Sequence, residues 1–434
     1  MSAALRNAGS NSFTVNEVYR QGSGVQNEDA IVCRPEIGLF AVIDGATALA
    51  AHPALSGAVA AQSVKASLER WDGSGRLIDA VTDANRYLGQ VTGGEALHQT
   101  KRPSCCIAAV RMVGERLEFA QAGDCMAFVE YTGASGEAGF HRPPDVACAD
   151  QETVPQAQAV AHAGASAAEA ARSTPVASAH PSTTAGGANT GKATVRALTH
   201  DSVARFDSHS VQMLMEAWET RRAAAAKVPD VQVPSGTEST VSEENVATSE
   251  AAAEGAPVNQ MTGGDVTAWP VDKQLEVLSE IRAELRPVLA RHREMMNVAG
   301  GYSVLDGSAD AERFIEHGVI NASLVSRVLL LSDGLQLPTS KFDKRTGQAV
   351  GQAPDEPGER REQVGHVERV DTTNGPLGTE TNGWLDTATY AFSYGVDALC
   401  QRVLELENED PGCYIHPRLK PHDDKSGLLI AITS

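Results

Sequence analysis

Apolar residues along the chain gather into two kinds of run. Short β-branched or apolar stretches bounded by glycine or charge read as strands. They are GLFAVIDG (38–45), SCCIAAVRM (104–112), RLEFAQA (116–122), CMAFVEY (125–131), RVLLLS (327–332) and GLLIAIT (427–433). The third and fourth are separated by Gly123-Asp124, which predicts a compact hairpin. Helical periodicity is carried by Leu77, Val81, Ala84 and Leu88, and by Val211, Leu214, Met215 and Trp218. A longer stripe holds Leu275, Leu278, Ile281, Leu285 and Val288, with Pro287 placed to kink or interrupt it. Phe392, Val396, Leu399 and Val403 repeat the pattern. These stripes read as core. Strand, helices, strands, helices, strand is not a βαβ alternation. It predicts an α+β fold, a central antiparallel β-sandwich flanked by helices on both faces.

Two stretches break the pattern. Residues 147–190 contain no Leu, Ile, Met or aromatic residue, and 228–264 lack Leu, Ile, aromatics, Lys and Arg. Neither can bury enough apolar surface to offset its ordering entropy. They predict disordered insertions at about 133–192 and 228–265 within one domain spanning 13–434, with a Gly/Pro/charge-rich loop at 339–383. Of the 434 residues, roughly 300 remain for one large core.

Charge narrows the partners. A formal net charge of −20 disfavours nucleic acid and anionic membrane surfaces, which recruit clustered Lys and Arg. No run approaches the ~18 apolar residues of a membrane span, and the N-terminal MSAALRNAGSNSFTV has no apolar signal-peptide core. The seven cysteines are scattered without a CxxC pair, which predicts reduced thiols in a cytoplasmic protein and argues against zinc; the expected state is a monomer.

Candidate chemistry sits where apolar runs stop. Glu28 and Asp29 precede Ile31 and Val32; Asp44 follows FAVI and precedes Gly45; Asp124 lies in AGD. Asp333 follows VLLLS, and Asp423 and Asp424 precede SGLLIAI. A carboxylate ending a buried strand needs a backbone N–H, a basic side chain or a metal. Any one of them is explained by turn capping; the set could converge on one rim. Mg²⁺ and Mn²⁺ take such oxygen ligands. Gly45 would let its carbonyl approach an ion closely.

In order along the chain, NEDA (27–30), FAVIDG (40–45), AGDCMAF (122–128), LLLSDGL (329–335) and DDKSGLLI (423–430) resemble the motifs of the metal-dependent PPM (protein phosphatase 2C-like) Ser/Thr phosphatases. The likeness is to a divergent bacterial-like branch. The resemblance implies the same helix-flanked antiparallel sandwich and two Mn²⁺ or Mg²⁺ ions, with a third, weaker site. Carried over, Asp44 would bridge the ions with Gly45 offering its carbonyl, and Asp333 and Asp423 would complete the first. Glu28 and Asp29 would face the second, Asp124 would join the third, and Asp424 would stand behind the ligands. The implied reaction is hydrolysis of phosphoserine or phosphothreonine in a protein substrate by a metal-bridging hydroxide.

Two departures matter. Many members carry His after the Asp-Gly, where this chain has Ala46 and Thr47; His52 does not match the motif. The family's phosphate-binding Arg aligns with Gly24, leaving Arg20, Arg418 and Lys420 as candidate anion clamps. The segment HREMMNVAGGYSVLDG (292–307) resembles an element of the same branch, and its Asn297 and Gly300-Gly301-Tyr302 could line the rim or simply cap a helix. Competing readings are a pseudophosphatase that binds or senses, and a metal-dependent phosphatase of a small metabolite.

Overall fold

The computed structural model describes residues 3–6, 12–46, 56–131, 193–226, 266–340 and 381–433. Both expected insertions and most of the 339–383 loop lie outside them. The strands are β1 (Ala3–Arg6), β2 (Ser12–Arg20), β3 (Ala30–Arg34), β4 (Leu39–Gly45), β5 (Cys105–Val113) and β6 (Arg116–Ala122). They continue as β7 (Met126–Tyr131), β8 (Thr194–Ala197), β9 (Glu316–Asn321), β10 (Val325–Leu331) and β11 (Lys425–Thr433). The α-helices are α1 (Gly57–Arg70), α2 (Leu77–Thr92), α3 (Ala204–Ala225), α4 (Val271–Arg293), α5 (Thr381–Tyr394) and α6 (Val396–Glu409).

Two antiparallel sheets stack, one ordered β1-β2-β11-β10-β7-β8 and the other β3-β4-β5-β6-β9. Period-two alternation assigns every central side chain to a layer. In β4, Phe40 and Val42 enter the core between the sheets, while Leu39, Ala41 and Ile43 pack under α1 and α2. In β10, Val328 and Leu330 face inward, and Leu329 and Leu331 meet α5 and α6. Both faces are buried, which is why these strands read as unbroken apolar runs. The expected helix-flanked sandwich is therefore the observed one. Helices α3 and α4 form a further pair through Leu214, Trp218, Leu278, Ile281 and Leu285.

Three local expectations change. Gly123-Asp124 closes no hairpin: β6 pairs with β5 and β9, whereas β7 pairs with β10 and β8. The dipeptide carries the chain from one sheet to the other, helped by Gly123 at φ 92°, a left-handed conformation that favours glycine. The stripe through Phe392 and Val403 is two helices, broken at Gly395 with φ 91°. Pro287 does not interrupt α4, because Leu285 and Val288 on either side of it are buried.

Candidate metal centre between the sheets

Antiparallel pairing brings distant motifs to one end of the sandwich. Asp44 is the penultimate residue of β4, opposite Cys106 of β5; Asp29 immediately precedes β3, and Asp333 follows β10 beside the start of β11. Parity puts Asp44, like Phe40 and Val42, on the inter-sheet side. The approach is close enough to exclude side chains. A Cβ on Gly334 would lie 1.9 Å from the Asp424 carbonyl oxygen, and one on Gly22 2.4 Å from the Asp423 carbonyl carbon. A Cβ on Gly45 would lie 2.4 Å from Gly57 and 2.5 Å from the Glu28 carbonyl oxygen. Tight packing thus demands glycine at position 45 on its own account.

Asp29 is fully buried, accepts a hydrogen bond from Ser332 Oγ at 3.1 Å, and keeps its Oδ1 without a partner. Asp124 Oδ1 and Asp333 Oδ1 are likewise buried and unpartnered. Asp44 and Asp333 lie within hydrogen-bonding reach of each other. Burial first, then the neighbouring carboxylates, pushes all four acids upward: Asp29 to about 8, with Asp44, Asp124 and Asp333 also raised. Buried carboxylates this crowded need protons or cations. Hard oxygen donors, several unpartnered, fit divalent cations of the Mg²⁺ or Mn²⁺ type.

Asp423 takes part through Lys420, whose Nζ stands 2.6 Å from its Oδ1. Burial would lower the Lys420 pKa, but the Asp423, Asp44 and Asp333 charges outweigh it and raise it. Glu28 is half-buried; its carbonyl accepts from Gly45 N at 3.1 Å. Asp424 stands behind the cluster, accepting from Gly22 N and Glu28 N at 2.7 Å each, and so ties the two ends of the chain together.

Two expected anion clamps are not at the cluster. Arg418 spends its guanidinium inside its own loop, donating to the carbonyls of Glu407, Asp410, His416 and Pro421 and to the Asp410 carboxylate. Arg20 is exposed and near Cys400 of α6, on the outer helical layer. Lys420 alone of the three faces the carboxylates. Asn297 is a turn-former: at φ 52° its N donates to the Tyr302 carbonyl, and its Oδ1 accepts from Val304 N at 3.0 Å. Thr47 and His52 lie outside the described residues.

Several site residues escaped the sequence reading. Arg293, at the end of α4, is 8% exposed, with its Nη2 3.5 Å from the Ala46 carbonyl; burial lowers its pKa, partly offset by the nearby Tyr302 and Glu28. A basic residue at a helix C-terminus looks like ordinary dipole complementation. Asp201 accepts from Val203 N, Ala204 N and Trp384 Nε1; an Asp just before a helical stripe is a legible capping signal. Asp207, one turn into α3, reaches solvent. Surrounding protein, then Asp333, Asp201 and Asp423, raise its pKa.

No family model matches this chain, and no curated protein matches it. Solved structures do align along nearly its whole length. PppA, a regulatory component of the type VI secretion system of Pseudomonas aeruginosa, aligns at 12% identity and TM-score 0.38, covering 97% of this chain and 98% of that one. The catalytic domain of serine/threonine phosphatase PstP with two manganese ions aligns at 13% identity and TM-score 0.38, covering 97% and 99%. Stp1 of Staphylococcus aureus, a serine/threonine phosphatase, gives 11% identity and TM-score 0.37 over 97% and 95%.

Proposed function

We propose that this chain is a divergent PPM-type, metal-dependent serine/threonine phosphatase that hydrolyses phosphomonoesters on protein substrates. The observation that carries the reading is the set of three buried, unpartnered carboxylate oxygens, on Asp29, Asp124 and Asp333, at the end of the sandwich where Asp44 also lies. Asp44, Asp333 and Asp423 would hold one Mn²⁺ or Mg²⁺; Asp44, Glu28, Asp29 and the Gly45 carbonyl a second; Asp124 and Asp333 a weaker third. Such ions supply Lewis acidity and a nucleophile at neutral pH.

The chain's own residues do the rest. Asp424 fixes the peptides at Gly22 and Glu28, so the second-ion ligands are set before any ion arrives. Lys420 on the Asp423 side and Arg293 on the Glu28 side are cations that can bracket a phosphoryl group once the carboxylates are neutralised. Ala46 offers no proton, so the leaving alkoxide takes one from water. Burial of Asp29 and Asp44 among low-dielectric walls strengthens each charge interaction.

The test is Mn²⁺-dependent phosphate release from a phosphothreonine peptide, with an aryl phosphate and a panel of small phosphorylated metabolites alongside. Asp44→Asn should remain folded and lose on the order of 10³-fold or more in turnover, because an amide cannot bridge two cations. Wild type no faster than Asp44→Asn at saturating Mn²⁺ points to a binding module. Turnover confined to metabolites points to a small-molecule phosphatase.

A further inference from the structure

Cys125, directly after Asp124, sits at the deep end of the carboxylate cluster. It is fully buried at the head of β7, held where the Gly123 crossover passes from one sheet to the other. One ligand atom each from Asp44, Asp124 and Cys125 lies within 4.8 Å of the others. A tetrahedral ion with metal–sulfur bonds of about 2.3 Å and metal–oxygen bonds of 2.0–2.2 Å needs ligand atoms ~3.3–3.8 Å apart, so small side-chain adjustments would close the set. A second observation points the same way. Asp124 is 9% exposed and its Oδ1 has no partner.

We propose that Asp44, Asp124 and Cys125 form a mixed oxygen–sulfur site for a thiophilic divalent cation of the zinc or cobalt class. Mg²⁺ and Mn²⁺ prefer oxygen, whereas a thiolate selects softer ions. The donor set therefore separates this corner from the hard-ion sites, although Asp44 also serves the pair and Asp124 the weaker third. Binding expels the Cys125 thiol proton to solvent as the metal–sulfur bond forms, and the fourth position is left to water. Both Asp44 oxygens are taken when it serves the hard-ion pair, so zinc should displace the hard ions rather than join them. The cysteine spacing gave no zinc signal because the ligands come from two strand ends about 80 residues apart, without a CxxC pair.

The inference needs only these three side chains, so its test does not depend on phosphatase activity. Chelator-stripped full-length chain is titrated with Co²⁺, and the thiolate-to-cobalt charge-transfer band in the near ultraviolet is recorded. Wild type should show the band at one equivalent, with tetrahedral visible transitions. Cys125→Ser should lose the band while circular dichroism and Mn²⁺ uptake, read by electron paramagnetic resonance, persist. Cys106→Ser should keep it, and Asp124→Asn should weaken Co²⁺ binding at least tenfold. Bound Co²⁺ without a charge-transfer band, or a band that survives in Cys125→Ser and Cys125→Ala, overturns the proposal. Zn²⁺ should also inhibit Mn²⁺-supported turnover in wild type. A wild type without turnover that still shows the cobalt band removes the phosphatase reading and leaves this site standing.

Discussion

Asp29 is the side chain on which the proposed metal binding and stability meet. Burial first, then Asp333, Asp423 and Asp424, lifts its pKa to about 8. A raised folded-state pKa means that the native chain holds a proton the unfolded chain has released above about pH 4. Its contribution to stability is complete below that value and disappears as pH rises towards 8. The metal-free protein should therefore melt at a lower temperature at pH 8 than at pH 5, and Asp29→Asn should flatten that slope. Added Mn²⁺ should raise the melting temperature more at pH 8, where fewer protons compete. Differential scanning fluorimetry across pH, with and without Mn²⁺, checks both signs. Lys420 and Arg293 belong at this scale too. Lys420→Ala and Arg293→Ala should each raise KM for a phosphopeptide about tenfold or more, with Arg418→Ala acting through the fold instead, as a lower melting temperature.

At the level of elements, the crossover at Gly123 does what no hairpin could. It sends β6 and β7 into different sheets and leaves Asp124 and Cys125 between them. A Cβ at position 123 would meet Cys106 Sγ at 2.2 Å in a backbone at φ 92°. Gly123→Ala should cost about 2 kcal/mol or more of stability and weaken cation binding, as seen by chemical denaturation and Mn²⁺ titration. The dipeptide alone could not reveal this, since Gly-Asp also suits a two-residue turn. The same limit hid β9, an edge strand whose Glu316, His317 and Asn321 leave only Gly318 and Ile320 buried. Central strands such as β4 and β10 were legible because both faces are covered. The carboxylates were legible because each stops an apolar run. Arg293 was not, because it reaches the cluster from a helix end far away in sequence.

For the whole molecule, the two low-complexity stretches leave and re-enter at neighbouring points. Tyr131 of β7 is paired with Thr194 of β8, so the ends of the first are already adjacent, and α3 and α4, which bound the second, pack on each other. Replacing 133–192 with a short Gly/Ser turn should change stability by no more than about 1 kcal/mol, since closure entropy varies slowly with loop length. Thermal unfolding and Mn²⁺-dependent turnover of the replaced chain check this. Loss of soluble protein would show that the stretch supports the sandwich.

The place of β11 has a consequence for synthesis. Residues 425–433 fill the slot between β2, made about 400 residues earlier, and β10. Until they leave the ribosome, the six-stranded sheet is two fragments with open inner edges, and Asp423 and Asp424 have nothing to brace. A nascent chain halted before that point would offer unpaired strands to chaperones or to its neighbours. The candidate cation site would come into being in a single event, when both halves of the sheet close around β11.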